Sequence, residues 1–171
     1  MIPGRRFEEY RSAEEFTAAA RRGRESLALA LLEDPIELSR AYAPWAFTVH
    51  LKDLIVKASE EGFHHLDVPL GDGVLDLPRI VGVLREAKLG IRFHLEVITR
   101  EPHHVPCLTD AYWSTFGDVP ARDLARTLGV VKSRPVERLP QFDQLPIQER
   151  IAREAEVVGR SLAFAREKLG L

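Results

Sequence analysis

Hydrophobic and polar residues alternate in two short segments, residues 45–53 and 90–99, and this alternation predicts two β-strands. Successive side chains of a strand point to opposite faces of the sheet. In the first segment Val49 and Leu51 therefore share an apolar face, while His50 lies on the opposite face. This strand thus carries an imidazole close to its end.

The second segment carries a carboxylate at an equivalent place. Phe93 and Leu95 form its apolar face, and Glu96 lies on the opposite face. Between the two segments, apolar residues recur at helical spacing over residues 76–88, which predicts a crossover helix. A strand, a helix and a second strand form a βαβ unit, whose strands are parallel. His50 and Glu96 are therefore expected at the same edge of a parallel sheet.

Further elements are predicted around this unit. Asp34 followed by Pro35 predicts the start of a short helix that ends near Tyr42. Residues 60–73 contain three glycines and a proline, which predicts a loop at the active face. Helices are also expected in three other stretches: residues 13–22, residues 121–131 with Pro120 at the first helical position, and residues 148–169.

Two histidine doublets, His64-His65 and His103-His104, fall in segments that are predicted to be loops. Adjacent side chains diverge, so we expect solvent-exposed histidines here rather than a shared metal site. Cys107 has no neighbouring cationic residue to lower its pKa, and we expect it to be structural.

Composition is that of one soluble domain spanning residues 1–171, since 45% of the residues are hydrophobic and 29% are charged. The chain has 24 basic and 26 acidic residues and a net charge of -2, so no general attraction to nucleic acid or anionic membrane is expected. No run approaches the roughly 18 apolar residues of a membrane span, and residues 1–10 lack a secretory signal pattern. A single cysteine excludes an internal disulfide, so a cytoplasmic protein is expected.

A set of short motifs follows in order along the chain. They include Thr48-Val49-His50-Leu51-Lys52-Asp53, then Val68-Pro69-Leu70-Gly71-Asp72-Gly73, then Phe93-His94-Leu95-Glu96-Val97-Ile98-Thr99-Arg100. With these motifs, residues 29–171 resemble the C-terminal half of sugar phosphate isomerase/epimerase proteins, the xylose isomerase-like barrel group.

The resemblance implies an α/β fold that is a partial (β/α)8 TIM barrel, truncated at its N-terminal half. A complete barrel of this kind takes roughly 250 residues. On this basis residues 1–30 are an atypical helical N-terminus, residues 31–100 hold the barrel βα units, and residues 101–171 are a C-terminal helical extension.

The resemblance also implies a site. Family members hold a divalent metal (Mn, Mg or Zn) with four side chains, two of which are matched here by His50 and Glu96. The metal polarises a carbonyl and a hydroxyl of the sugar, while carboxylates move a proton between adjacent carbons. Glu96 is then also catalytic, and Lys52, Asp53 and Arg100 are expected to contact a small sugar or sugar phosphate.

The other two metal ligands have no match in the chain. The turn that should supply an aspartate falls on residues 24–27, where Glu25 is the only carboxylate. The alternative is therefore a truncated family member without catalytic activity, which acts as a binding or interaction domain. A third possibility, the apurinic endonuclease activity of the same superfamily, is disfavoured by the near-neutral charge.

Simpler interpretations of the site residues stay open beside these. His50 and Glu96 are equally compatible with ordinary polar positions at strand ends, and Lys52 and Asp53 with an exposed ion pair. Half a barrel also leaves strand edges and apolar faces uncovered, so we expect self-association, or closure by the N-terminal helices.

Overall fold

The computed structural model describes residues 32–87, 90–97, 100–114, 116 and 118–171. The predicted helix over residues 13–22 and the Glu25 position lie outside these residues. The described elements are, in chain order, α1 (Pro35–Tyr42), β1 (Thr48–Leu51), β2 (Asp53–Ser59), β3 (Gly62–Val68), α2 (Leu77–Ala87), β4 (Arg92–Leu95), β5 (His103–Val105), α3 (Asp110–Trp113), α4 (Ala121–Ser133) and α5 (Ile147–Phe164). A short 3-10 turn, Ala43–Trp45, follows α1, and a π-helical turn, Ala165–Leu169, follows α5.

Strands β1 and β4 form a two-stranded parallel sheet, as the βαβ pattern predicts. In its register His50 lies opposite His94, and Leu51 lies opposite Leu95. Both strands are shorter than the alternation suggests, with four residues each. The fold is therefore mixed α/β with a small parallel sheet, and the described strands do not close into a barrel.

The parallel sheet is held by one apolar cluster. Helix α2 buries a stripe of apolar side chains against the apolar face of β1 and β4, and the π-helical turn adds Leu169. Helix α1 begins as its sequence predicts, since the Asp34 carboxylate accepts hydrogen bonds from the backbone N–H groups of Ile36 and Glu37. The cluster's buried members are Ala43, Leu51, Leu70, Leu77, Ile80, Val81, Leu84, Ile91 and Leu169.

The prediction of a loop over residues 60–73 is wrong for its first half. Strand β3 pairs with β2 in an antiparallel hairpin, and β5 adds a third strand on the other side of β3. The first glycine of this segment, Gly62, marks the hairpin turn and not a loop, because it adopts a positive φ of 148° there. Only the later part, around Gly71, is a turn, with the Asp72 N–H bonded to the carbonyl oxygen of Pro69.

The segment after residue 100 is not purely helical, which corrects the prediction of a helical extension. Strand β5 lies there, and α4 packs over the hairpin through a second apolar cluster. Pro120 precedes α4 as its N-cap instead of occupying its first position. The cluster's buried members are Leu32, Leu54, Val56, Phe63, Val105, Cys107 and Val131.

Asp53 connects the two sheets to the loop that follows β3. Its carboxylate is fully buried and accepts hydrogen bonds from the backbone N–H groups of Leu54, Gly71, Gly73 and Leu75, at 2.9–3.2 Å. Burial raises the pKa of Asp53, and the four N–H groups only partly offset this effect. Each carboxylate oxygen serves two donors, so the loop conformation depends on this one side chain.

We predict that Asp53→Asn lowers the free energy of unfolding by about 2–3 kcal/mol, because the amide NH2 group would face two backbone donors instead of accepting from them. Urea unfolding followed by circular dichroism measures this loss. Asp72→Asn is the matched control in the same loop. Its partner is the partly exposed Arg160, and the pair contributes less than about 1 kcal/mol. Equal losses in the two variants would contradict the anchoring role of Asp53.

Candidate functional site

The structure brings His50 and Glu96 into direct contact, as the parallel register predicts. His50 is the third residue of β1, and Glu96 follows the last residue of β4, with its backbone N–H bonded to the carbonyl oxygen of Leu51. His50 Nδ1 lies 2.8 Å from Glu96 Oε2. The His50 side chain is 49% exposed and that of Glu96 is 27% exposed, so the pair lies at the surface of the sheet edge.

Lys52 lies behind this pair and is buried, with only 6% of its side chain exposed. Its Nζ donates to Glu96 Oε1 at 3.0 Å and lies 3.6 Å from Asp67 Oδ2. Lys52 and Asp53 are therefore not the exposed ion pair of the simpler interpretation. Both are buried, Lys52 interacts with Glu96 and Asp67, and Asp53 accepts hydrogen bonds from the backbone. Lys52 is instead a buried cation between two carboxylates that come from different sheets.

Glu96 is held in its ionised form by these partners. Burial alone would raise the pKa of Glu96, but the hydrogen bonds from Lys52 and His50 more than offset burial and lower it. An ionised carboxylate only accepts hydrogen bonds, so His50 Nδ1 must carry the proton that it shares with Glu96. In the neutral ring, Nε2 is then the basic nitrogen.

This arrangement can move protons. A carboxylate that fixes the tautomer and orientation of an imidazole makes it an oriented base, which is the general requirement for acid–base catalysis by histidine. The lowered pKa of Glu96 suits the carboxylate to orient and stabilise the imidazolium rather than to act as the base.

The structure places Asp53 and Arg100 away from the His50–Glu96 contact. Asp53 has no exposed surface, and its oxygens are bonded to the backbone as described above. Arg100 is half-buried and lies near His65, whose pKa it helps to lower. Substrate contact by either residue stays a prediction.

The histidine doublets lie in β3 and β5, so the prediction that they lie in loops is wrong, whereas the expected exposure holds for His103 and His104. His64 stacks on His104, with ring centroids 4.5 Å apart, and His65 stacks on His103 at 5.3 Å. The antiparallel register of β3 and β5 sets these pairs directly opposite each other. His65 is 6% exposed and therefore belongs to the interior.

Asp67 is the residue near the site that the sequence interpretation missed, and His65 is the doublet member that it wrongly expected to be exposed. They lie two residues apart on one face of β3. The Oδ2 atom of Asp67 and the Nδ1 atom of His65 are both buried and, within the described residues, have no hydrogen-bond partner. The spacing of two residues between them would have placed them on one face, had residues 62–68 been recognised as a strand.

The donor set of the described residues does not fit a resident divalent metal. His50 and Glu96 are the two expected ligands that the chain matches. Both oxygens of Glu96 accept hydrogen bonds, one from His50 Nδ1 and one from the Lys52 ammonium, and a cation beside the carboxylate disfavours a second one. No group of three or more histidine, cysteine or carboxylate side chains suited to a metal occurs in the described part of the chain.

Comparison with known proteins gives no relative. No protein-family model, no curated protein and no solved structure matches the chain. Among the described helices, none is long and apolar enough to cross a membrane.

We predict that His65 makes folding sensitive to mild acid. Burial, followed by the nearby His103, Arg100 and Lys52, lowers the pKa of His65 from 6.5 to about 4. The unfolded chain therefore binds a proton at this position between pH 6.5 and about 4, whereas the folded chain does not. Stability is fully present above pH 6.5 and falls by up to about 3 kcal/mol as the pH drops through this window.

Urea unfolding of wild type and His65→Leu at several pH values measures this effect. The variant should lose much of the pH dependence between pH 6.5 and 4, since it has no group to protonate at this position. His94→Leu is the control, because His94 is exposed. Parallel pH dependence in wild type and His65→Leu would show that other groups cause the acid sensitivity.

Proposed function

We propose that this chain is a sugar or sugar-phosphate isomerase/epimerase-type protein, in which the His50–Glu96 pair moves a proton between adjacent carbons of the sugar. The observation that carries the proposal is the 2.8 Å contact between His50 Nδ1 and Glu96 Oε2 at the carboxyl ends of two parallel strands. Active sites of parallel α/β barrels are assembled at these strand ends. The resemblance described above supplies the substrate class.

The chemistry follows from the pair and its environment. A C–H bond beside a carbonyl becomes acidic when the developing enediolate charge is stabilised. In the proposed reaction, His50 Nε2 takes the proton from the carbon beside the carbonyl, and the ionised Glu96 stabilises the resulting imidazolium. The remaining hydroxyl proton of the enediolate passes to the former carbonyl oxygen, and the imidazolium returns its proton to the neighbouring carbon, which leaves the carbonyl at the adjacent position. Every step is assigned to the chain's own residues, because the Lys52 ammonium and the His50 ring bind both oxygens of Glu96.

The proposed fold is part of a (β/α)8 barrel whose remaining strands come from elsewhere, such as a second copy of the chain. Among the described strands, β1 and β4 pair only with each other, so each has an open edge. Trp45 and Phe47, at the entrance to β1, are 53% and 72% exposed.

We predict that the protein exchanges the carbon-bound proton next to the carbonyl of an aldose or ketose with solvent. The assay is nuclear magnetic resonance of a panel of free and phosphorylated sugars incubated with the protein in D2O, because deuterium enters whichever epimer or isomer forms. Glu96→Gln and His50→Gln should each reduce the incorporation rate by roughly a hundredfold or more.

His94→Gln is the control variant, since His94 is the exposed neighbour of His50 with ring centroids 5.5 Å apart. It should retain wild-type incorporation. No incorporation by wild type over the whole panel, or incorporation that persists in both site variants, would reject the proposed activity.

The alternative is a binding or interaction domain without catalytic activity. One observation favours it: of the four metal ligands that the resemblance implies, the chain matches only His50 and Glu96. Calorimetric titration with Mn, Mg and Zn tests this point directly. We predict no stoichiometric binding at micromolar affinity, because Lys52 and His50 already occupy both oxygens of Glu96. Stoichiometric binding that is lost in both His50→Ala and Glu96→Ala would contradict this and would restore a metal-dependent mechanism.

A further inference from the structure

Asp67 combines deep burial with an unmade hydrogen bond. Its side chain is 2% exposed, and its Oδ2 atom has no hydrogen-bond partner in the described part of the chain. A buried carboxylate oxygen without a partner is costly, and such a group usually has a role beyond stability. The charged group that the structure places beside it is the Lys52 ammonium, 3.6 Å away.

Lys52 in turn determines how the Glu96 carboxylate is oriented. The two oxygens of Glu96 have different partners, with Oε1 accepting from Lys52 and Oε2 accepting from His50. The plane of the carboxylate is therefore fixed from the Lys52 side. A displacement of the ammonium would rotate the carboxylate and release the imidazole.

The strand arrangement separates these groups into two sheets. His50 and Glu96 belong to the parallel sheet, whereas Asp67 lies on β3 of the hairpin, opposite Leu54 in the register. Lys52 is the single residue between β1 and β2. A charge on the hairpin is thus positioned to act on a pair in the neighbouring sheet.

We propose that Asp67 is a positioning residue for this site: it holds the Lys52 ammonium against Glu96, and Glu96 then holds the His50 ring in its proton-transfer orientation. This inference rests on the proposed function for its chemical meaning, but the arrangement itself can be measured without substrate. Other charged or titratable groups face the same region, namely His94 beside His50, His65 near Lys52, and His103 and Arg100 near His65.

The Nδ1–H proton of His50 reports on the arrangement, because its exchange with water slows when Glu96 holds it. The experiment uses the full chain labelled with 15N and compares wild type, Asp67→Asn, Lys52→Met and the double variant. We expect Asp67→Asn and Lys52→Met each to accelerate the exchange of this proton by about tenfold, the loss expected for one charge-assisted interaction. If Asp67 acts through Lys52, the double variant should exchange no faster than Lys52→Met alone.

Asp123→Asn is the matched control, since Asp123 is also a buried carboxylate and is paired with Arg126 at 2.9 Å in helix α4. It should leave the His50 proton unchanged even if it lowers stability. Asp67→Glu provides a second variant that keeps the charge, and it should retain slow exchange where Asp67→Asn folds poorly.

Unchanged exchange in folded Asp67→Asn, effects that multiply in the double variant, or fast exchange in folded Asp67→Glu would overturn the proposal. The result is separable from that of the sugar assay. A slowly exchanging His50 proton in wild type that Asp67→Asn accelerates, with no deuterium incorporation into any sugar, would support the positioning role and reject the proposed function.

Discussion

The buried carboxylate of Asp53 is the interaction on which the arrangement of this protein depends. Four backbone N–H groups converge on it, three of them from the segment that leads from β3 to helix α2. Gly73 is required there, because a Cβ atom at this position would clash with the Asp53 carboxylate. The anchor thereby fixes the start of β2, and with it the position of the preceding Lys52.

Because the backbone of Lys52 is fixed, its ammonium is held between the carboxylates of Asp67 and Glu96. A buried ammonium is costly unless it is neutralised, and here two carboxylates from different sheets share the task. One of them, Glu96, becomes a stable hydrogen-bond acceptor for His50 as a result. The half-exposed histidine is thus oriented by a chain of charges that extends into the interior.

The sequence allowed the contact between His50 and Glu96 to be predicted, because strand alternation and a βαβ pattern determine which side chains share an edge. It did not allow the hairpin to be predicted, since glycine marks loops and turns alike. Gly62 lies at the hairpin turn, and Gly73 is needed for close approach to Asp53.

Asp67 was missed for a related reason: aspartate is unfavourable in strands, and only its distant partner Lys52 explains its place. The stacking of His64 on His104 likewise depends on a pairing between residues far apart in sequence. The resemblance implied part of a barrel, and the described strands form a small parallel sheet and a three-stranded antiparallel sheet.

The passage from one sheet to the other within a single residue has a mechanical consequence. Strand β1 ends at Leu51 and β2 begins at Asp53, so the parallel sheet and the hairpin meet at the backbone of Lys52. A rotation of the hairpin relative to the parallel sheet would therefore move the backbone of Lys52, and with it the 3.0 Å contact of its side chain with Glu96. The hairpin is also part of the second apolar cluster through Leu54, Val56 and Phe63, so a displacement of the hairpin would strain that cluster and the contact between Lys52 and Glu96 together.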